Sequence, residues 1–338
     1  MCQNTNMRIA INGFGRIGRL TLRKLINLKD IEVVAINDLA SVEVLAHLYK
    51  YDSVHGISPD EVIPLKGAIK ISGKEIKILS EKEPVYLPWK DLKVDVVIEC
   101  TGLFRREEDA EKHIQAGAKK VIISAPSKGG IKEVKTIVLG VNDEILNGSS
   151  TIISNASCTT NCLAPVVKVL DDNFGFDKGY LTTVHSYTSD QSIHDKAHRD
   201  LRRARAAAQN IIPTTTGAAD ALGIVMPKMK GKIEAMAMRV PVIDGSNIEL
   251  DCLLNKSVRV EDVNKAFKLA AKEQLTGILE YSEAPLVSTD IIGNSHSSIF
   301  DSLLTKTMGN FVRVVSWYDN EAGFSQRLVD LILKLKRL

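Results

Sequence analysis

The chain's 338 residues predict two domains, and a composition 44% hydrophobic and 25% charged, without low-complexity tracts, excludes the disordered and fibrous classes. Its 44 basic against 41 acidic residues give a net charge of +3, which offers no footing to a nucleic acid or an acidic membrane surface. Five scattered cysteines make an odd set rather than a disulfide framework, and neither a bilayer-spanning run of roughly 20 apolar residues nor a secretory leader is evident, so a reducing cytoplasm is the expected compartment.

In chain order, residues 8–12 (Arg-Ile-Ala-Ile-Asn) read as a short buried strand, followed at once by Gly13-Phe14-Gly15-Arg16-Ile17-Gly18. Ile17, Leu20, Leu25 and Leu28 then recur on one face of a helix. A second strand, Ile31 to Asn37, ends at Asp38. Strand, glycine turn, helix, strand and terminal acid form the dinucleotide-binding fingerprint in the context that gives the motif meaning. Gly13 makes the tight turn, Gly15 lets the backbone approach the pyrophosphate, and Gly18 lets helix and strand pack closely. The pyrophosphate is expected on the N–H groups of Arg16 and Ile17. Asp38, about 20 residues beyond the glycines, is expected on the adenosine ribose.

Further strands are expected at Val94–Glu99, Val121–Ser124 and Thr136–Leu139, with a helix over Glu107–Ala116 stopped by Gly117. This alternation predicts an α/β domain of Rossmann type, with a doubly wound parallel sheet. Ligands bind beyond the carboxyl ends of such strands, which makes Thr101-Gly102 and Ser124-Ala125-Pro126 candidate cofactor contacts.

Strand-like Thr151–Ser154 gives way to helix-like Cys162-Leu163-Ala164, with Ser157 as a natural N-cap between them. Cys158 is then expected in the first helical turn, where unpaired N–H groups and the helix dipole favour a thiolate. Beyond it, Tyr180–His185, Lys232–Val240 and Phe311–Trp317 read as longer strands without a regular helix between each pair. They predict an α+β catalytic domain with a mostly antiparallel sheet. Leu328, Leu331, Ile332 and Leu335 have helical spacing. The expected division is 1–156 for the nucleotide domain and 157–321 for the catalytic domain, with a helix at about 322–338 packing back on the first.

A thiol used with a nicotinamide suggests aldehyde oxidation, because an aldehyde gives up hydride readily only from a covalent, deprotonated adduct. His185 is the best candidate for the base, although a lone strand histidine is otherwise a satisfied structural residue. The remaining six histidines are taken as surface or structural. Cys162 follows Cys158 at i+4, but no histidine or acid completes a metal site there, and no metal is expected.

Six segments together carry a family resemblance. They are Ile11–Arg19, Ser154–Cys162, Thr182–His185, Asn210–Gly217, Met238–Pro241 and Ser316–Glu321. In these the chain resembles the phosphorylating, tetrameric glyceraldehyde-3-phosphate dehydrogenase family throughout its length. The resemblance implies Cys158 as nucleophile and His185 as its base, with NAD as cofactor and glyceraldehyde 3-phosphate and inorganic phosphate as substrates. It implies a homotetramer. It also implies Thr188, Asp190 and Arg239 for the substrate's C3 phosphate, and Ser157, Thr159, Thr216, Gly217 and Arg203 for inorganic phosphate. Guanidinium groups suit both roles by binding phosphate bidentately. Asn320 matches the residue that fixes the nicotinamide carboxamide.

Two departures stand out. Lys196-Ala197 replaces the Leu-Pro usual in NAD-specific members, so NADP is expected as a second cofactor even though Asp38 repels a 2′-phosphate. Asp220 stands where relatives mostly carry lysine, and an exposed position is expected for it. The alternatives are erythrose-4-phosphate dehydrogenase, disfavoured by the intact phosphate cage, and a catalytically idle NAD- or RNA-binding protein, disfavoured by the intact thiol site and the lack of a basic patch with aromatics. A semialdehyde dehydrogenase of amino-acid synthesis is a more distant rival.

Overall fold

Short apolar runs separated by glycine turns and helices give the first unit its parallel sheet. The computed structural model describes residues 6–129 and 134–338. They divide into one unit of residues up to Ile137 with Glu144–Ala156 and Ser325–Leu338, and another of Val138–Asp143 with Ser157–Phe324.

In the first unit, β1 (Met7–Asn12), α1 (Arg16–Leu25), β2 (Ile31–Asn37) and α2 (Val42–Lys50) lead into the short strands β3 (Val62–Leu65), β4 (Ala68–Ile71) and β5 (Lys74–Leu79). Then come β6 (Val96–Glu99), α3 (Glu107–Gln115), β7 (Lys120–Ile123), β8 (Lys135–Thr136) and β9 (Ile152–Ser154). The sheet order is β3-β4-β5-β2-β1-β6-β7-β9-β8, parallel except for the β3-β4 and β4-β5 pairs. Strand order runs outward in both directions from β1, so the switch point lies between β1 and β6, where such sheets bind ligands. Ile9, Ile11, Val97, Ile98 and Ile122 are fully buried there. Each contributes roughly 1.5–3 kcal/mol by leaving water.

Two expected boundaries shift. Helix α1 stops at Leu25, and Leu28 lies beyond it, because Asp30 takes a left-handed backbone (φ 59°) that turns the chain into β2. The strand expected at Thr136–Leu139 pairs only at its start, as β8, before the chain turns at Gly140 (φ 79°).

The second unit begins with α4 (Cys158–Phe174), whose residues from Thr159 to Val167 are all buried. Buried on every side, this helix is the core of its unit rather than an amphipathic surface element. It is followed by β10 (Phe176–Ser186), β11 (Ile212–Thr215), α5 (Ala218–Val225), β12 (Ile233–Val240), β13 (Ser246–Leu254) and α6 (Val260–Lys272). The remainder is β14 (Leu279–Ser282), β15 (Ser298–Asp301), β16 (Lys306–Met308), β17 (Phe311–Tyr318) and α7 (Ala322–Lys336), of which the part from Ser325 clusters with the first unit. The sheet is mostly antiparallel, in the order β11-β12-β10-β13-β17-β15-β14, with β16 on β17. The β10-β12 pair, at its functional end, is parallel and sets His185 opposite Arg239. No described helix is long and apolar enough to cross a membrane.

Candidate active site

The chain leaves β9 through Ala156, held in a left-handed conformation (φ 56°), and enters α4 at Ser157. The Ser157 hydroxyl accepts from the Thr160 N–H at 3.0 Å and so caps the helix, which fixes Cys158 as its first residue. From β10, His185 brings Nε2 to 3.5 Å from Cys158 Sγ, within reach for a bond to sulfur. Tyr318 of β17 ties the two elements together: its hydroxyl is 2.9 Å from Thr159 Oγ1 and 2.9 Å from Thr183 Oγ1.

Burial and charge both act on this pair. Burial pushes the Cys158 thiol up, against the opposing pulls of the Arg239 charge and of the Thr159 hydroxyl and backbone. Burial, followed by the Arg239 charge, brings His185 down to about 3. Burial thus opposes a charge on either partner, and the nearby Arg239 favours the thiolate while disfavouring the imidazolium.

Two guanidinium groups flank the pair. Arg239 Nη1 lies 2.9 Å from His185 Nδ1, 2.9 Å from Ser186 O and 3.4 Å from Thr188 Oγ1. Arg203 donates to Asp190 at 2.7 Å, to Thr214 Oγ1 at 2.9 Å and to Thr215 O at 3.2 Å. It is thereby held against the strand that leads through Thr216 and the exposed Gly217 into α5. Asp190, which is exposed, also accepts from the Thr188 hydroxyl; partial desolvation raises its carboxyl, but these contacts and the Arg203 and Arg239 charges hold it below the usual range. An ionised carboxylate cannot itself donate to phosphate, and here Asp190 holds Thr188 and Arg203.

Among the residues expected to receive inorganic phosphate, Ser157 and Thr159 are already engaged, the first as the cap and the second with Tyr318. Thr216 is half-buried and, among the described residues, accepts only a long bond from Ala218 N (3.3 Å). Thr216 and Gly217 are thus the more available part of that set, since Arg203 is held by Asp190, Thr214 and Thr215.

In the first unit the glycine turn has the shape that the sequence required. Gly13 has φ 92°, and a Cβ there would lie 2.7 Å from Thr101 N. A Cβ on Gly18 would lie 2.3 Å from Gly13 O. Over Gly15, by contrast, nothing stands within 4 Å of the space a Cβ would fill, leaving the backbone open to a ligand. Arg16 turns its guanidinium onto Asp52 at 2.6 Å, and its backbone and that of Ile17 open α1 directly after Gly15. Asp38 closes the β2 end, accepting from Phe14 N at 2.8 Å and from Ala40 N at 3.0 Å. Thr101 and Ser124 follow directly on the carboxyl ends of β6 and β7.

Residues 7–107 match the family model for the NAD binding domain of glyceraldehyde 3-phosphate dehydrogenase, and residues 157–320 match that for its C-terminal domain. A glyceraldehyde-3-phosphate dehydrogenase of Mycobacterium avium is 56% identical over 334 residues, covering 96% of this chain and 97% of the relative. The chain belongs to the glyceraldehyde-3-phosphate dehydrogenase family. Relatives in Bacillus cereus and Priestia megaterium are each 54% identical at the same coverage. The matched domain identifies the dinucleotide as NAD, and the open backbone over Gly15 between two sterically closed glycines fits it.

Several residues that shape the site carried no motif. Glu99 is fully buried below the β1–β6 crevice, accepting from Asn12 Nδ2 at 2.6 Å and from the Thr101 N–H at 2.7 Å. The fully buried His113 lies 3.1 Å from it and accepts from the Trp89 indole at 3.0 Å. Since the indole only donates, His113 carries its proton on Nε2 and gives it to Glu99. In the second unit, Ser186 and Ser246 hold Asn320. A glutamate ending the apolar run Val96-Val97-Ile98 was the one available sign of the buried acid.

Proposed function

We propose that this protein oxidises D-glyceraldehyde 3-phosphate, with uptake of inorganic phosphate, to 1,3-bisphosphoglycerate. The reading is carried by one observation, the 3.5 Å approach of Cys158 Sγ to His185 Nε2 at a helix N-terminus flanked by two arginines. Cys158 gives its proton to His185 as sulfur attacks the aldehyde carbon, forming a hemithioacetal. His185 returns that proton to the former carbonyl oxygen, completing the adduct's hydroxyl, and then takes it back as the carbonyl re-forms and hydride departs. NAD, when bound, accepts the hydride. Phosphate oxygen attacks the resulting Cys158 thioester, the carbon–sulfur bond breaks, and the sulfur leaves to be reprotonated. Arg239 with Thr188 suits the C3 phosphate, and Arg203 with the α5 N-terminus suits the incoming phosphate. Asn320 orients the nicotinamide carboxamide, and Asp38 takes the ribose hydroxyls.

The protein is read as a homotetramer, for which the support is the sheet face of the second unit opposite its helices. Tyr180 and Met308 there are each 71% exposed and Met236 is 38% exposed, a burden for a lone subunit. NADP is read as a second, weaker cofactor, favoured by the exposed Lys196 and opposed by Asp38.

The test is nicotinamide absorbance with glyceraldehyde 3-phosphate, with and without phosphate, and with each cofactor. Phosphate-dependent reduction of NAD is expected. Turnover that ignores phosphate and releases the free acid would instead favour the erythrose-4-phosphate type of enzyme. No detectable reduction of NADP would remove the dual-cofactor reading alone.

A further inference from the structure

The last rung shared by three neighbouring parallel strands of the first unit is polar. Asn37 of β2, Asn12 of β1 and Glu99 of β6 stand in register, all buried, one step beyond the apolar row Ile36, Ile11 and Ile98. Side chains in one such row share a face of the sheet, so the three meet across the strand ends. Well-packed apolar residues commonly replace a buried charge with no loss of stability, so stability alone does not account for this row.

Its hydrogen bonds run in one direction. The Glu81 backbone fixes the Asn37 amide, giving its N–H to Oδ1 at 2.8 Å and accepting from Nδ2 at 2.8 Å. Asn37 Nδ2 also donates to Asn12 Oδ1 at 2.7 Å, which turns Asn12 Nδ2 towards Glu99 Oε2 at 2.6 Å. His113, whose Nδ1 accepts from the Trp89 indole, brings a second donor to that oxygen at 3.1 Å. Glu99 Oε1 takes the Thr101 N–H at 2.7 Å and the Thr101 hydroxyl. Four donors converge on one carboxyl group, and only the acceptor-only carboxylate satisfies them all.

A loop of the cofactor crevice follows each strand of the row. The glycine turn follows Asn12, Asp38 follows Asn37, and Thr101 comes two residues after Glu99. The turn rests on the Cys100–Thr101 peptide: a Cβ on Gly13 would lie 2.8 Å from Cys100 C and 2.7 Å from Thr101 N. The Thr101 hydroxyl also accepts from Leu103 N at 3.1 Å, which carries the constraint past Gly102.

We propose that Glu99 is a positioning residue for NAD: its carboxylate, holding Thr101 directly and the glycine turn through Asn12, sets the β6 side of the crevice before the cofactor arrives. Fully buried, Glu99 acts through these residues rather than by contact. The β2 side has its own anchor, because the Glu81 backbone holds Asn37 with two bonds that do not involve Glu99. Glu99 therefore acts on the half of the dinucleotide beyond β6, and not on the adenosine half at the end of β2. This role depends on NAD binding alone, and not on Cys158 or His185.

The test is calorimetric titration of full-length, nucleotide-free protein with NAD and with adenosine 5′-monophosphate. Glu99→Gln keeps the shape but turns an NH2 group onto two donors. NAD is expected to bind the variant at least about tenfold more weakly, the effect of one buried donor left unsatisfied, while the monophosphate binds both proteins alike. Equal losses for the two ligands would mean a general loosening of the unit and overturn the proposal. NAD binding as tightly as before, or more tightly, also overturns it, since removing a negative charge from beneath a pyrophosphate would by itself strengthen binding. Where the variant fails to fold, hydrogen exchange in the wild type decides. The Thr101 amide is expected to be protected before NAD is added, and an amide that exchanges freely until NAD binds overturns the proposal.

Discussion

The hydroxyl of Ser186 donates to Asn320 Oδ1 at 2.8 Å, and this bond decides which way the Asn320 carboxamide faces. Ser246 donates to the same oxygen at 2.7 Å, while its own oxygen accepts from Ser186 N at 3.1 Å. Neither hydroxyl has another acceptor among the described residues, so the oxygen of Asn320 is turned inward and its NH2 group is left to donate. Replacing both serines with alanine removes two buried bonds of about 1 kcal/mol each. NAD binding, followed by quenching of tryptophan fluorescence, is expected to weaken by roughly 5- to 30-fold. An unchanged affinity would separate Asn320 from the cofactor.

Tyr318 bridges the helix that carries the thiol and the strand that carries the imidazole. Tyr318→Phe keeps the ring against His185 and loses both hydroxyl bonds. It is expected to cost about 1–3 kcal/mol of stability, since two buried threonine hydroxyls lose a partner. It is also expected to lower kcat while leaving the KM for NAD unchanged. Thermal unfolding together with steady-state kinetics checks both. A variant that loses stability with kcat intact would leave Tyr318 with a structural role only.

Asp52 supplies a pH signature in the first unit. Burial pushes its carboxyl up, but the His55 N–H, the Arg16 guanidinium and the Val54 N–H together hold it at about 2, below the ordinary 3.8. A group depressed on folding contributes stability above its unfolded pKa and loses it as pH falls through the folded one. Asp52→Asn is therefore expected to be less stable than wild type at neutral pH. The gap should close between about pH 4 and pH 2, as followed by denaturant midpoints. A gap that stays constant through that window would contradict the assignment.

Asp220 lies in the first turn of α5 and is exposed, where an acid is favoured by the helix dipole. The same charge opposes an anion at that terminus. Asp220→Asn is expected to lower the KM for inorganic phosphate by about two- to fourfold at low salt, with the effect shrinking as ionic strength rises. Titrating phosphate in the steady state decides it. A KM that does not move places the incoming phosphate away from α5.

Much of this was legible because it depends on local chemistry. The glycine turn and the Ser157 cap are written in neighbouring residues, and backbone sterics then fix the outcome. What was not legible depends on register and long-range burial. That β12 pairs in parallel with β10 and sets Arg239 beside His185 has no mark in either strand. The left-handed Ala156 is equally silent, since alanine gives no warning of φ 56°. The setting of the thiol is half legible in the same way: dipole and cap can be read from order along the chain, but the desolvation that opposes them needs the packed surroundings.

The central claim is a covalent acyl enzyme on Cys158, and the most direct measurement is the intact and peptide mass of protein mixed with glyceraldehyde 3-phosphate and NAD in the absence of phosphate. The account predicts one equivalent of nicotinamide reduced per subunit and a matching acyl adduct confined to the Cys158 peptide, lost on adding phosphate and absent in Cys158→Ala. Steady turnover by Cys158→Ala, or a full reductive burst with that peptide unmodified, would contradict it.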